Sequence, residues 1–275
     1  MLVDEELKHL QRCELIIANE IKRVCDKKNI SYFMVAGTVL GSVRHKGFIP
    51  WDDDMDFGMV RSEYEKFCLA CKTELGEDFA LQTWDTDPNY PFSFGKIRLK
   101  NTAIEELFAS SHVVLEKGIF VDIFPFDNVP DEESEAKSLA RKYFFYKRAL
   151  WMKKGYGKNI LTQNFKQKIK YFISSALLSF VSYSFLKTRF ERAIKKYNHI
   201  ETKKLVFDAP YRFEKNCVER TLIENLCDGV FETEIYPMPR DYDTYLTHLY
   251  GDYMKLPDPA ERHSHDILSV VFGKY

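Results

Sequence analysis

AGTVLGSVRHKGFIPWDDDMDFGM, Ala36 to Met59, puts four acids into five positions (Asp52, Asp53, Asp54 and Asp56) between two segments rich in glycine and apolar residues. Like charges this close repel and raise one another's pKa unless a cation or a strong set of donors neutralises them. A solvated acidic turn is the commonest fate of a short charge run, so the flanking sequence decides the reading. "SYFMVAG" reads as a short buried strand ending at a glycine, "TVLGSVR" as a helix start capped by Thr38, and "DMDFGMV" as a second strand after the loop "HKGFIPW". Successive strand residues alternate faces, which points Asp54 and Asp56 one way and sends Met55 and Phe57 into a core.

Two parallel carboxylates on a rigid strand make a clamp for a hard cation such as Mg²⁺, which takes one or two carboxylates plus substrate phosphate oxygens. A third acid stands in "GIFVDIFPF", where Asp122 is flanked by Val121 and Ile123. An ionised group in so apolar a strand needs a partner. Gly37 and Thr38, where a strand hands over to a helix N-terminus, offer backbone N–H groups and positive dipole to a phosphate. Arg44, His45 and Lys46 lie in the adjoining loop, Lys96 and Arg98 share a strand face, and Arg262, His263 and His265 follow "LPDP" near the C-terminus. The first five are either phosphate-neutralising groups or ion-pair partners of the acids, and the last three are either nucleotide contacts or plain surface residues.

Around this block the chain reads as α/β. "SEYEKFCLACKTEL" is a helix with Ser62 as its N-cap, and "FALQTW", "FSFGKIRL", "TAIEEL" and "GIFVDIFPF" are strands. The 275 residues, 45% hydrophobic, suffice for one substantial domain over 1–275 carrying an insert at about 131–204. Charge is strongly segregated although the net value is −1. Between Lys137 and Lys204 there are 18 basic residues and two acids. Within that insert, lysines such as Lys166, Lys168 and Lys170 flank the apolar, aromatic stretch Tyr171 to Leu186, with Phe172, Leu177, Phe180, Val181, Tyr183 and Phe185. At 16 uncharged residues with five serines it is short of a membrane span. Its composition suits a helix lying on an anionic membrane surface, and the absence of a recognition motif argues against nucleic acid. Six irregularly spaced cysteines and an amphipathic, acid-bearing N-terminus suit reduced thiols in the cytoplasm. Cys68 and Cys71 fall on the apolar helix face, which favours packing over zinc.

Glycine and a small hydroxyl residue after a strand, acid-x-acid on the next and a single acid later resemble the nucleotidyltransferase (polymerase-beta-like) superfamily. More narrowly, "GTVLGSVRHKGFIPWDDDMDFGM", "KIRLKNTAI", "GIFVDIFPFDNVP" and "YDTYLTHLYGDYMKLPDPAERHSH" resemble the LicD family from about Ile30 to the C-terminus, most weakly through the basic insert. The 15 residues between Thr38 and Asp54 exceed the general superfamily spacing but suit LicD proteins. The resemblance implies a nucleotidyltransferase mixed sheet with flanking helices. It also implies a Mg²⁺-dependent transferase, with Mn²⁺ as a substitute, that moves phosphocholine from CDP-choline to a hydroxyl of a cell-surface glycan or teichoic-acid precursor and releases CMP. By the same resemblance Asp54, Asp56 and Asp122 hold the metal, with Asp122 as general base. Gly37, Thr38, Arg44, His45, Lys46, Lys96, Arg98 and Arg262 contact the donor. A ribitol- or glycerol-phosphate transferase would use the same residues. A non-catalytic glycan-, membrane- or nucleic-acid-binding module is the alternative from another class. Choline would call for aromatic faces, for which Trp51, Trp84, Tyr90, Phe92 and Phe94 are at hand.

Overall fold

The computed structural model describes residues 4–106, 117–154, 174–176, 178–209, 212–262 and 267–275. The long helix α1 (Asp4–Lys28) buries Leu10, Cys13, Glu14, Ile17, Ile21 and Val24 at three- and four-residue spacing. Acids in its first turn and Lys27 and Lys28 in its last suit the helix dipole. There follow β1 (Phe33–Met34), α2 (Ala36–His45), β2 (Asp56–Val60), α3 (Arg61–Glu74), β3 (Phe79–Gln82), β4 (Gly95–Leu99), β5 (Ala103–Glu106) and the ten-residue β6 (Phe120–Val129). After α4 (Glu133–Lys153) and α5 (Tyr183–Ile194), the chain returns through β7 (Lys204–Val206), α6 (Phe213–Asn216), β8 (Cys217–Glu219), α7 (Arg220–Glu224), β9 (Leu226–Phe231), β10 (Glu234–Pro239), α8 (Tyr242–Tyr250) and β11 (Ile267–Val271).

The mixed α/β architecture expected from the sequence is present. Seven strands share one sheet in the order β1-β2-β6-β4-β3, with β7 added on β6 and β8 on β7. β6 runs parallel to β2 and antiparallel to β4 and β7. Its long span puts one acid near each end, half-buried Asp122 in the stretch paired with β2 and β4, and buried Asp127 where β7 joins. Asp127 receives a bidentate ion pair from buried Arg61, at 2.8 and 2.6 Å, and a further hydrogen bond from Asn198 Nδ2.

Three local expectations are corrected. The first strand is only two residues long, because Ala36 takes a positive φ of 47° and turns the chain at once into α2. Val35 therefore occupies the N-cap position without a side-chain cap, and Thr38 lies inside the first turn. Its Oγ1 accepts instead from the backbone N–H of Asp56 at 2.8 Å. The second strand begins at Asp56, so Asp54 belongs to the loop before it, although Met55 and Phe57 are fully buried as expected. Helix α3 starts two residues early, at Arg61, with Val60 and not Ser62 at its N-cap.

The main core joins α1, α2 and α3 to the sheet and to the returning C-terminal elements. Cys71 is buried in it and Cys68 packs against it; burial pushes the Cys68 thiol up to about 11. The Tyr- and Pro-rich C-terminal part wraps back on the first elements. The β9–β10 hairpin packs on β1 and α2, β11 pairs with β5, and the Ala36 N–H donates to Tyr245 Oη at 3.1 Å. Gly41 and Gly47 let α2 close on its own exit turn: a Cβ at Gly41 would stand 2.4 Å from the Gly47 carbonyl oxygen.

A second core lies between α4 and α5, built from Leu139, Tyr143, Leu150, Leu186, Phe190 and Ile194. Within the apolar stretch singled out above, Leu186 is thus core, and Tyr183 donates its hydroxyl to the Tyr90 carbonyl at 3.0 Å. Phe180 and Phe185 are exposed. Lys166, Lys168, Lys170, Tyr171, Phe172 and Leu177 lie outside the described residues. Among the described residues no helix is long and apolar enough to cross a membrane.

Candidate active site

Asp56 opens β2, and its register partner on parallel β6 is Asp122. Register partners on adjacent strands project from the same face, so the two carboxylates stand side by side. The backbone binds the same place together: the Asp122 N–H donates to the Met55 carbonyl at 3.1 Å, and the Val35 N–H to the Asp56 carbonyl at 3.1 Å. Lys96, on the other side of β6, is the register partner of Asp122 on β4 and donates from Nζ to Asp122 Oδ1 at 2.6 Å. Burial, followed by the charges of Asp54, Asp122 and Asp52, pushes the Asp56 carboxyl well above the usual range, with Lys96 opposing. Asp54, though off the strand, is therefore the foremost like charge on Asp56.

The closest approach among the acids is in the loop itself. Asp52, Asp53 and Asp54 each bring one oxygen to within 4.8 Å of the others; among the described residues they are the set of three potential metal-ligating side chains that meets this spacing. Gly37 borders them, since a Cβ there would lie 3.2 Å from Asp52 Oδ2.

A cationic rim faces this loop. Arg44 donates through Nε to His45 Nε2 at 2.9 Å and through a terminal nitrogen to the Tyr253 carbonyl at 2.8 Å. Burial and then the neighbouring Arg262 hold Arg44 below its ordinary value, and Asp52 opposes them. Burial and Arg44 likewise lower His45, which accepts at Nε2 as a neutral ring. Arg262 lies 4.9 Å from the centre of the Trp51 ring and donates to the Pro257 carbonyl. Lys46 closes α2 in a left-handed conformation, φ 62°, with its side chain exposed. Arg98 is different: it is buried, donates to Gln82 Oε1 and the Gly118 carbonyl, and lies 4.9 Å from the Phe120 ring centre. His263 and His265 lie outside the described residues.

The aromatic residues divide. Trp84 belongs to the second core, 5.8 Å from Phe190, and is not part of the acid site. Phe92 and Phe94 lie 5.9 and 5.5 Å from Lys96 Nζ, and Trp151 adjoins Phe92 at 6.1 Å. Trp151, from the helical insert, is a residue that sequence reasoning missed.

The sequence profile described as LicD/FKTN/FKRP, nucleotidyltransferase domain, matches residues 29–169, more than half of the chain. The chain belongs to the LicD family. A lipopolysaccharide cholinephosphotransferase of Haemophilus influenzae, itself named LicD, is 28% identical over 268 residues, which are 95% of this chain and 96% of that one. Two uncharacterised proteins, from Rickettsia prowazekii and Rickettsia typhi, are each 51% identical over 37 residues, 14% of this chain and 14% and 12% of theirs. The LicD family match begins just after α1, and Glu14 lies in that preceding helix. Glu14 sits in the apolar stripe four residues after Leu10 and three before Ile17 and is buried; burial, and then the charge of Asp54, raise its carboxyl well above the usual range. An acid at a core position of an amphipathic helix was the signal that could have found it.

Proposed function

We propose that the chain is a phosphotransferase that moves phosphocholine from CDP-choline to a glycan hydroxyl on a nucleotidyltransferase-type sheet. The observation that carries this reading is the side-by-side placement of Asp56 and Asp122 on adjacent strands, with Asp54 as their nearest like charge. Three such carboxylates with a raised acid among them have the chemistry of a hard-cation site. The group fits: Asp54, Asp56 and Asp122 would hold Mg²⁺, or Mn²⁺ in its place, which supplies charge neutralisation at the diphosphate and a lower pKa for a bound hydroxyl.

The chain's own residues do the rest. Phosphoryl transfer depends on positioning and charge more than on covalent chemistry. Arg44 and Arg262, held beside the acid loop, neutralise the diphosphate, and the start of α2 at Gly37 and Thr38 presents backbone N–H groups to it. Lys96 fixes the Asp122 carboxylate through Oδ1. Asp122 takes the proton of the attacking sugar hydroxyl as its oxygen bonds to the phosphorus bearing choline. The bond to the cytidylate oxygen breaks and CMP leaves. Arg98, tied to Gln82 and Gly118, braces β4 and reaches the donor only through Lys96's strand.

For the alcohol, Phe92, Phe94 and Trp151 supply aromatic faces near Asp122, as a quaternary ammonium requires. A cation over an aromatic face is worth about 0.5 to 2 kcal/mol. Trp151→Ala is therefore expected to weaken CDP-choline binding roughly 2- to 30-fold while leaving CMP affinity unchanged, in competition titrations with Mg²⁺ present. CDP-ribitol or CDP-glycerol binding the wild type as well as CDP-choline does would replace the choline reading with the polyol one. Release of CMP from CDP-choline only when a glycan acceptor is added is the direct test of transfer.

The basic insert is consistent with a lipid-linked acceptor at the inner face of the membrane. Exposed Phe180 and Phe185 beside Lys187 and Arg189 have the composition of an interfacial contact. The protein should co-sediment with anionic liposomes at low salt and be released as salt rises, because such attraction is screened over about 8 Å at physiological ionic strength. Absence of low-salt binding would remove the membrane from the proposal.

A further inference from the structure

The aromatic faces near Asp122 are bracketed by two ion pairs. At one end Lys96 Nζ, bonded to Asp122, lies 5.9 and 5.5 Å from the Phe92 and Phe94 ring centres. At the other end Lys147 Nζ lies 4.8 Å from the centre of the Trp151 ring and is paired with Asp208, whose side chain is only 7% exposed. Asp208 follows shortly after β7, and its two oxygens serve different segments. Oδ1 accepts from Lys147 Nζ and Tyr143 Oη, both on α4, and Oδ2 accepts from Ser93 Oγ, between Phe92 and Phe94. Trp151 stands one helical turn after Lys147 on the same face of α4, and Phe92 meets it edge-on at 6.1 Å. One carboxylate thus ties the segment bearing Phe92 and Phe94 to the helix bearing Trp151. Phe94 packs at 4.5 Å on Phe124, which is two residues along β6 from Asp122 and so on the same face of the sheet.

An aromatic face attracts a cation, but an uncompensated ammonium beside the same ring repels it, and like charges inside a protein repel far more strongly than in water. We infer that Asp208 is a specificity-determining residue of the donor site: by neutralising Lys147 and tying Ser93 to α4, its carboxylate keeps the Phe92–Trp151 face attractive to a quaternary ammonium. Asp208 touches neither the headgroup nor the reacting atoms. It acts through Lys147 and Ser93, and is in that sense a positioning residue. A polyol headgroup carries no charge and feels neither Lys147 nor its neutralisation, so the pair bears on choline alone. The inference rests on the proposed choline donor and adds the residue that sets the charge of its site.

Equilibrium titrations with Mg²⁺ present test this, using CMP, CDP-choline and an uncharged isostere of CDP-choline in which a tert-butyl group replaces the trimethylammonium. The wild type should bind CDP-choline better than the isostere. Asp208→Asn keeps the size of the side chain and its acceptor oxygen but removes the charge. It should lower CDP-choline affinity roughly 2- to 30-fold, the worth of a lost cation–aromatic contact, and leave the isostere and CMP unchanged. Lys147→Met reads the same pair from the other side. It leaves the Asp208 carboxylate bonded by Tyr143 and Ser93 but without its counter-charge, and should raise the ratio of CDP-choline to isostere affinity. A carboxylate that merely braced the fold would weaken both ligands together in both variants. That outcome overturns the inference, as does an unchanged ratio in Asp208→Asn or, should that variant not fold, a ratio in Lys147→Met that fails to rise. Each of these results would leave the choline donor standing. Equal binding of CDP-choline and the isostere by the wild type would remove the choline donor and the inference together.

Discussion

Asp56→Asn is expected to lower phosphocholine transfer by roughly 10³-fold or more. Loss of a charge-stabilising cation is worth several kcal/mol at the transition state, and each 1.36 kcal/mol is a decade in rate. Asp54→Asn should act similarly, whereas Asp122→Asn should retain more CDP-choline binding than turnover if its main task is to accept the hydroxyl proton. Asp56→Asn has a second, opposite effect. The native carboxyl titrates above the ordinary 3.8, so between that value and the raised one the folded protein holds more protons than the unfolded chain. Cation-free wild type therefore loses stability as pH rises through this window, and the Asn variant escapes that loss. The variant should be inactive and, above pH 4, more resistant to denaturant than the wild type in chelator. Near-normal turnover in purified Asp56→Asn would remove the assignment of the acids to catalysis.

The largest single loss of stability is expected at the other end of β6. Arg61→Met leaves Asp127 buried without its bidentate partner, and removing one member of a buried pair costs about 3–5 kcal/mol. Urea unfolding should report it as a lower midpoint with unchanged slope. Arg61→Met combined with Asp127→Leu should recover much of the loss, since an apolar replacement of both partners restores a compatible interior. A single-variant loss below about 1 kcal/mol, the level of exposed pairs, would show that the pair is solvated in solution.

Much of this could be read from the residues because local patterns agreed with the global fold. The alternating apolar runs at β2, β4 and β6 were legible as strands, and an acid inside an apolar strand marked Asp122. What was not legible depended on contacts distant in sequence. Thr38 has the chemistry of an N-cap, but the chain turns at Ala36 and the hydroxyl is taken by the Asp56 backbone, 18 residues away. Asp54 satisfied the strand-face rule on paper, yet β2 begins two residues later, where pairing with β6 starts. Trp84 and Trp151 are indistinguishable by type; only the packing of α4 against α5 puts the first in a core and the second near Phe92. Arg98 and Lys96 share a face as expected, but Gln82 and Gly118 claim the one and Asp122 the other. Glu14 was overlooked because α1 was read for its apolar stripe alone.

The hydrogen bond from the Ala36 N–H to Tyr245 Oη joins residues 209 positions apart. At ribosomal elongation rates of about 5–20 residues per second, the tyrosine is synthesised roughly 10 to 40 s after the alanine. Throughout that interval the nascent acid-bearing segment lacks the tail that braces α2, so the site can be assembled only late in synthesis.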